Sequence, residues 1–276
     1  MNNIHQDLST IIDSLRVDAL DVAKKAGELL LKEQKHVAIQ TRKDVRDFST
    51  NADMQAEELI ISTIEQKYPN HSILSEERGL IDKQGDFKWI IDPLDGTQNY
   101  YSGSADFSTL IAVEHQHELV LGVSYFPRLN EYAVGVRNGP SLINDTVVNV
   151  SNNLKLEDSK ILIHIPRKDD KIHSTEKALK LVEKIGKKSY QVFVHDFDVA
   201  HMNELACGLL DGYMRLSSSG GWWDVAASIP VIEGARGKVS TLKGSSLQSE
   251  GLPYGFVASN SYLHDDLLDL LRQVYL

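Results

Sequence analysis

Leu8, Ile11, Ile12, Leu15, Ala19, Val22, Ala23, Ala26, Leu29 and Leu30 recur at three- and four-residue spacing, which predicts one long amphipathic helix over residues 6–33. Residues 36–52 are polar and mixed and read as a loop or loose hairpin. A second helix is predicted over 53–68, ended by Pro69-Asn70. Short apolar strands follow at 72–74 and 88–91. Three β-rich runs, 109–113, 119–125 and 131–136, predict an antiparallel meander, with another short strand within 141–150. The polar stretch 151–158 is the best candidate boundary. It divides the chain into an N-terminal α+β subdomain, residues 1–150, and a C-terminal α/β subdomain, residues 151–276. Beyond it, strands at 161–163, 191–194, 212–216 and 256–258 alternate with helices at 174–185, 199–210, 223–234 and 263–274, the third interrupted in pattern by Pro230. The alternation together with the meander indicates layered helices and sheets of mixed α/β and α+β character.

Composition narrows the function classes. The chain has 276 residues, 42% hydrophobic and 25% charged, an ordinary globular balance. Its 29 basic and 39 acidic side chains give a net charge of −10, which argues against a nucleic-acid groove. A phosphate substrate stays possible, because a bound divalent cation reverses the local field. The single cysteine, Cys207, forms no intramolecular disulfide or Cys-based zinc site and reads as a packed side chain. The N-terminal residues lack a basic and then apolar leader, and no apolar run approaches the roughly 20 residues of a membrane span. These features predict a cytoplasmic protein without a membrane or nucleic-acid partner.

The chemistry concentrates in Trp89-Ile90-Ile91-Asp92-Pro93-Leu94-Asp95-Gly96-Thr97. An apolar strand ends at two carboxylates, and a Gly-Thr pair opens a helical segment. Carboxylates hold Mg2+, and backbone N–H groups at a helix start take phosphate oxygens. More carboxylates stand at element ends: Asp53, Glu76, Glu77 and Asp224. Each also has a plain reading. Asp53 and Asp224 suit helix starts, Glu76-Glu77 suits a solvated loop, and Asp95 suits a cap. Taken together, several strand ends bearing carboxylates point to metal-assisted phosphoryl chemistry. Phosphatases with an aspartyl nucleophile use Asp-x-Asp-Gly-Thr. Here Pro93 and Leu94 separate the two acids, and strand alternation puts such a pair on different faces.

The ordered set Asp53, Glu76-Glu77, Asp92-Pro93-Leu94-Asp95-Gly96-Thr97 and Trp223-Asp224-Val225-Ala226-Ala227 resembles the Mg2+-dependent, lithium-sensitive phosphomonoesterase superfamily that includes inositol monophosphatase. Looser matches, among them the segments 206–213 and 233–237, extend the resemblance over residues 10–260. It implies a layered αβαβα sandwich of the inositol monophosphatase and fructose-1,6-bisphosphatase type, commonly a homodimer. It implies two or three Mg2+ ions and a small phosphorylated metabolite as substrate. By this resemblance Glu76, Asp92 and the Leu94 carbonyl hold one ion. Asp92, Asp95 and Asp224 hold a second, and Glu76 also helps with a weaker third. Glu76 and Thr97, with Asp53 orienting the Thr97 hydroxyl, position the attacking water. Substrate contacts fall to Asp95, Gly96, Thr97, Asp196, Ser217 and Asp224.

The resemblance departs from inositol phosphatases away from the metal ligands. Asp196-Phe197-Asp198 stands where they carry Gly-Ser/Thr-Ala. Ser217 stands near a family Glu that contacts the sugar ring, and Ala235-Arg236-Gly237 replaces Ala-Gly-Gly. Segments 107–112 and 229–235 are similar to histidinol-phosphate phosphatases, and enzymes acting on 3′-phosphoadenosine 5′-phosphate share the metal set. Asp196 or Asp198 recognises a leaving group or caps the helix at Val199. Arg236 reads as a surface residue, His195 and His201 as packed or solvent-facing, and Trp222-Trp223 as core packing or a pocket wall. A regulatory binding protein on the same scaffold is the non-enzyme alternative.

Overall fold

The computed structural model describes residues 2–42, 48–195, 199–248, 252 and 254–275. Its contacts divide the chain into two compact units, Met1–Thr146 with Trp223–Pro230, and Val147–Trp222 with Val231–Leu276. The segment carrying Asp224 therefore groups with the first unit, not with the C-terminal half in which sequence order places it.

In the first unit the amphipathic stretch forms α1 (Asn2–Glu33), burying Leu15, Ala19, Val22, Ala23, Ala26 and Leu30 on one face. Strands β1 (Ile39–Arg42) and β2 (Phe48–Thr50) pair antiparallel, so the polar stretch is a hairpin, its middle lying outside the described residues. Helix α2 (Asn51–Lys67) starts earlier than the apolar spacing predicts because Thr50 caps it. The Thr50 side chain accepts from the Ala52 amide, and Asp53 accepts from the Thr50 amide, a reciprocal capping box.

The strands β3 (Ser72–Ser75), β4 (Gly79–Ile81), β5 (Phe87–Asp95), β6 (Ser108–His115), β7 (Glu118–Phe126), β8 (Glu131–Val136), β9 (Ser141–Ile143) and β10 (Thr146–Val148) form an eight-stranded sheet. Its order is β10-β9-β8-β7-β6-β5-β3-β4. The predicted meander is β6-β7-β8, paired antiparallel throughout. Helix α1 packs on β6 and β7, and α2 packs on β5. Pattern reading misses β4, although the hairpin has a local signal. Ser75 pairs with Gly79 across a three-residue loop, and Gly79 has φ +72°, the left-handed position that such loops favour. A short helix α3 (Thr97–Tyr101) follows β5.

The second unit contains β11 (Lys160–His164), β12 (Gln191–Val194), β13 (Gly212–Arg215), β14 (Lys238–Thr241) and β15 (Phe256–Ser259), in the order β12-β11-β13-β15-β14. β11 runs parallel to β12 and β13, while β15 is antiparallel to its neighbours. Helices α4 (Thr175–Gly186) and α7 (His264–Val274) pack together, α4 also on β12 and α7 also on β15. Helix α5 (Val199–Ala206) stops short of the predicted end because Gly208, at φ +74°, closes it. The predicted 223–234 helix is instead a 3-10 turn over Trp222–Asp224 and, later, α6 (Ser228–Gly234). Pro230 is the reason: without an N–H it belongs in the first turn, where no helical partner is needed, so the helix starts close before it. Arg236 is exposed just beyond α6 at φ +69°, with its amide donating to the Glu233 carbonyl. Among the described residues no helix is long and apolar enough to cross a membrane.

His264 is buried at the start of α7, with its ring nitrogens 2.8 Å from the hydroxyls of Ser240 and Ser259. Burial and the nearby Lys238 depress its pKa to about 4, against a smaller opposing effect of Asp265. The unfolded chain therefore binds this proton first as pH falls. The stability that neutral His264 contributes is complete above about pH 6.5 and is lost progressively toward pH 4, a change of about 1–3 kcal/mol. Denaturant titrations of the wild type and His264→Gln across pH 4–7 check this. The variant is expected to show the flatter pH dependence, and parallel curves would refute the assignment.

Candidate active site

The candidate site belongs to the first unit and begins with strand pairing. β3 and β5 run parallel with Ser75 opposite Ile91, so the next residues, Glu76 at the end of β3 and Asp92 within β5, come side by side. The Glu76 amide donates to the Ile91 carbonyl at 3.2 Å, which fixes the offset. The Glu76 and Asp92 carboxyl groups are themselves hydrogen-bonded. The Leu94 amide donates to Asp92 Oδ1 at 3.0 Å.

Plain alternation separates Asp92 and Asp95 onto different faces, but β5 is not plain there. Its register with β6 shifts between Asp92, opposite Leu110, and Asp95, opposite Ser108. Three steps along β5 match two along β6, a bulge that contains Pro93 and Leu94. The extra residue cancels one alternation, and Asp95 comes close enough to act on Asp92 electrostatically. Ser108 donates its hydroxyl to Asp95 Oδ2 at 3.0 Å. In the sequence Ser108 stands out only as part of the 107–112 resemblance, because its partner Asp95 is on the neighbouring strand.

Asp53 joins through α2. Its plain reading holds, since it is the return acid of the Thr50 capping box, and a second use is added. The Thr97 hydroxyl lies 3.1 Å from Asp53 Oδ1 and 3.1 Å from the Leu94 carbonyl oxygen. One hydroxyl proton serves one of these acceptors at a time. Gly96, at φ +83°, makes the turn from β5 into α3 that points Thr97 back toward the strand end.

Asp224 closes the 3-10 turn beyond Trp222, which is buried, and Trp223, which is half-buried. It lies within electrostatic reach of both Glu76 and Asp92. The following residues rest on the sheet at Gly122, where an added Cβ would sit 2.0 Å from the Ala227 carbonyl oxygen. The residues opposite Gly122 in the neighbouring strands are Ala112 and Gly135, also small.

Asp92 is only 2% exposed. Its pKa is pushed well up, first by burial and then by Glu76, Asp95 and Asp224. Glu76 is raised in the same way, by burial, Asp224 and Glu77. Burial also raises Asp53, opposed by hydrogen bonds from Thr50 and Thr97. Among the described residues no three His, Cys, Asp or Glu side chains close a complete cation cage. Mg2+ does not require one, since it keeps waters and takes one or two carboxylates plus substrate oxygens. The donors present are all hard oxygens. A hydrogen bond between two carboxyl groups needs one of them protonated, and a divalent cation provides that compensation more strongly. The residues therefore fit Mg2+.

The remaining expected site residues belong to the second unit or lie outside the described residues. Ser217 is fully buried in the second unit, with its hydroxyl 2.8 Å from that of Ser219. The surface of that loop is offered by Ser218, Ser219 and Gly220. Asp196 and Asp198 lie outside the described residues. His195 and His201 stack edge to face at 4.8 Å in the second unit, and His201 contacts Glu204 at 3.0 Å. Cys207 is half-buried.

The family model described as the inositol monophosphatase family matches residues 12–275. The chain belongs to the inositol monophosphatase family. It is 30% identical to Nus factor SuhB of Haemophilus influenzae over 260 residues, covering 92% of this chain and 94% of that protein. Identity to inositol-1-monophosphatase of Mesorhizobium japonicum is 31% over 232 residues, covering 82% and 84%. The crystal structure of extragenic suppressor protein suhB from Bartonella henselae superposes with a TM-score of 0.85 at 25% identity, covering 94% of this chain and 99% of that one. The family is generally Mg2+-dependent, and the fold is of the inositol monophosphatase type.

Gly122→Ala is expected to push the Ala227 backbone off the sheet, because the carbonyl oxygen has no flexible side chain to move aside. The cost expected is about 1–3 kcal/mol, in the range of overpacked cores. Chemical denaturation reads it, and an unchanged midpoint would show that the two segments do not touch.

Proposed function

We propose that the chain is a Mg2+-dependent phosphomonoester hydrolase acting on a small phosphorylated polyol or related metabolite. The observation that carries the reading is the meeting of Glu76 and Asp92 on two adjacent parallel strands, with Asp95 and Asp224 beside them. In this reading Glu76, Asp92 and the Leu94 carbonyl hold one Mg2+. Asp92, Asp95 and Asp224 hold a second, and Glu76 takes part in a weaker third. Bound there, Mg2+ supplies Lewis acidity toward the phosphoryl oxygens and makes water a better nucleophile.

The chain's own groups do the rest. Asp53 accepts the Thr97 hydroxyl proton, leaving the Thr97 oxygen free to hold a water by accepting from it. Glu76 accepts from the same water on the other side and directs it in line with the leaving oxygen. The Gly96 and Thr97 amides face the phosphate, and Asp95 and Asp224 border the leaving group. Asp196 and Ser217 remain the proposed regions for substrate choice, Ser217 through the loop it anchors. No side chain is required as a covalent nucleophile. Lithium inhibition, a homodimer and a cytoplasmic location accompany the reading. The histidinol-phosphate and 3′-phosphoadenosine 5′-phosphate alternatives differ in substrate only.

Similarity to proteins named Nus factor SuhB favours a second reading, a regulatory binding protein on this scaffold. Phosphate release separates the two. The panel is myo-inositol phosphates, histidinol phosphate, phosphoadenosine phosphate, fructose 1,6-bisphosphate and NADP, each with and without Mg2+. Mg2+-dependent release from at least one is expected, and no release from any would favour the binding role. Asp92→Asn is expected to lose roughly 100-fold or more in turnover, since even residues behind the ligands cost about 10–100-fold in such sites. Near-wild-type turnover of that variant at saturating Mg2+ would refute the shared-ligand assignment.

A further inference from the structure

A buried carboxylate stands on α2 behind the candidate site. Glu57, on α2 one turn beyond Asp53, is 0% exposed. Its Oε1 accepts from the amides of Glu77 and Arg78, each at 3.2 Å, and from the Ser75 hydroxyl. Its Oε2 lies 3.4 Å from Arg78 Nε, and Arg78 pairs at its far end with Glu58. One carboxylate thus grips the last residue of β3 and two amides of the turn that carries Glu76.

Burying a carboxylate costs several kcal/mol unless hydrogen bonds and an opposite charge compensate. Glu57 stands on the face of α2 that also buries Ile60, Ile61 and Ile64. An apolar side chain there would pack without that cost. The charge instead serves the turn. The turn has few bonds of its own to the sheet: Ser75 pairs with Gly79, and the Glu76 amide reaches the Ile91 carbonyl. Without Glu57 the Glu77 and Arg78 amides would turn toward water, and Glu76 would lose its fixed direction beside Asp92.

We propose that Glu57 is a positioning residue, which sets the orientation of Glu76 and Glu77 by clamping the turn amides and so sets the Mg2+ affinity of the site. The proposal rests on the reading of Glu76 as a metal ligand. It does not require that the chain turn over any particular substrate.

Two variants and two readouts test it. Glu57→Gln keeps an acceptor oxygen for Ser75 and the two amides, whereas Glu57→Ala removes it. Mg2+ binding is read by titration calorimetry of the full chain, without substrate. Glu57→Ala is expected to bind Mg2+ about 10–100-fold more weakly, the usual effect of losing a group behind a metal ligand, and Glu57→Gln to recover most of that loss. Amide hydrogen exchange on the metal-free protein is expected to quicken at Glu77 and Arg78 in Glu57→Ala and to stay unchanged in β5 and β6. Wild-type Mg2+ affinity in Glu57→Ala would overturn the proposal. Faster exchange spread evenly over the first unit would also do so, because it would mark a merely structural role. If Glu57→Ala does not fold, Glu57→Gln decides: affinity reduced as far as that of an Asp92→Asn control would overturn it. A wild type that binds Mg2+ but releases no phosphate would refute the hydrolase reading and leave this one standing, while a wild type that binds no Mg2+ would overturn both.

Discussion

Parallel pairing of β3 with β5 is the constraint on which the site depends. The pairing sets Ser75 opposite Ile91, so Glu76, just past the end of β3, falls beside Asp92, which lies within β5. Adjacent parallel strands usually need a long crossover, often a helix. This chain reaches β5 from β3 through the short antiparallel β4 instead, so the turn at Glu76 is both a hairpin loop and a strand end. Any anion repels its neighbour, and burial magnifies that repulsion. A sheet whose register brings Glu76 and Asp92 together is therefore held by its hydrogen-bond ladder and its apolar core against the preference of its carboxylates.

The surroundings distribute that burden over backbone geometry more than over side-chain packing. The bulge at Pro93-Leu94 turns Asp95 toward Asp92 and leaves the Leu94 carbonyl beside the Thr97 hydroxyl. The bare backbone of Gly122 lets the 225–228 segment press on the sheet, which delivers Asp224. Helix α2 meets the site twice in successive turns, through Asp53 toward Thr97 and through Glu57 toward Ser75, Glu77 and Arg78. One helix start thus holds two loops from different parts of the sheet, and its Thr50 capping box keeps that start from fraying.

Most of this was legible in the sequence where the signal is local. Helical spacing located α1 and α2, and alternation located the β6-β7-β8 meander. Asp92, Asp95, Glu76, Asp53 and Asp224 stood out because so many element ends bear carboxylates, and Thr97 because a Gly-Thr pair follows two of them. The rest depended on information no window contains. Asp92 and Asp95 read as facing apart until the register with β6 revealed the bulge. Glu57 carries no local signal, because its partners lie 18 to 21 residues away. The need for Gly122 comes from Ala227, more than a hundred residues away, whose carbonyl oxygen an added Cβ would meet at 2.0 Å. The helix expected over 223–234 failed for a local reason, the place of Pro230 in its first turn, that apolar periodicity alone does not weigh.

The loop that holds Ser217 is fixed by a different kind of physics. Asp170 accepts from the amides of Ile172, His173 and Ser218, and buried Arg215 donates to the Ser219 carbonyl. These are side-chain contacts inside the second unit, without a strand ladder. Changing one of them reshapes a few residues, whereas moving Glu76 or Asp92 would require a new sheet register and, with it, every side chain of a strand on the other face. A position set by sheet register is therefore harder to shift by single substitutions than one held by a few side-chain contacts.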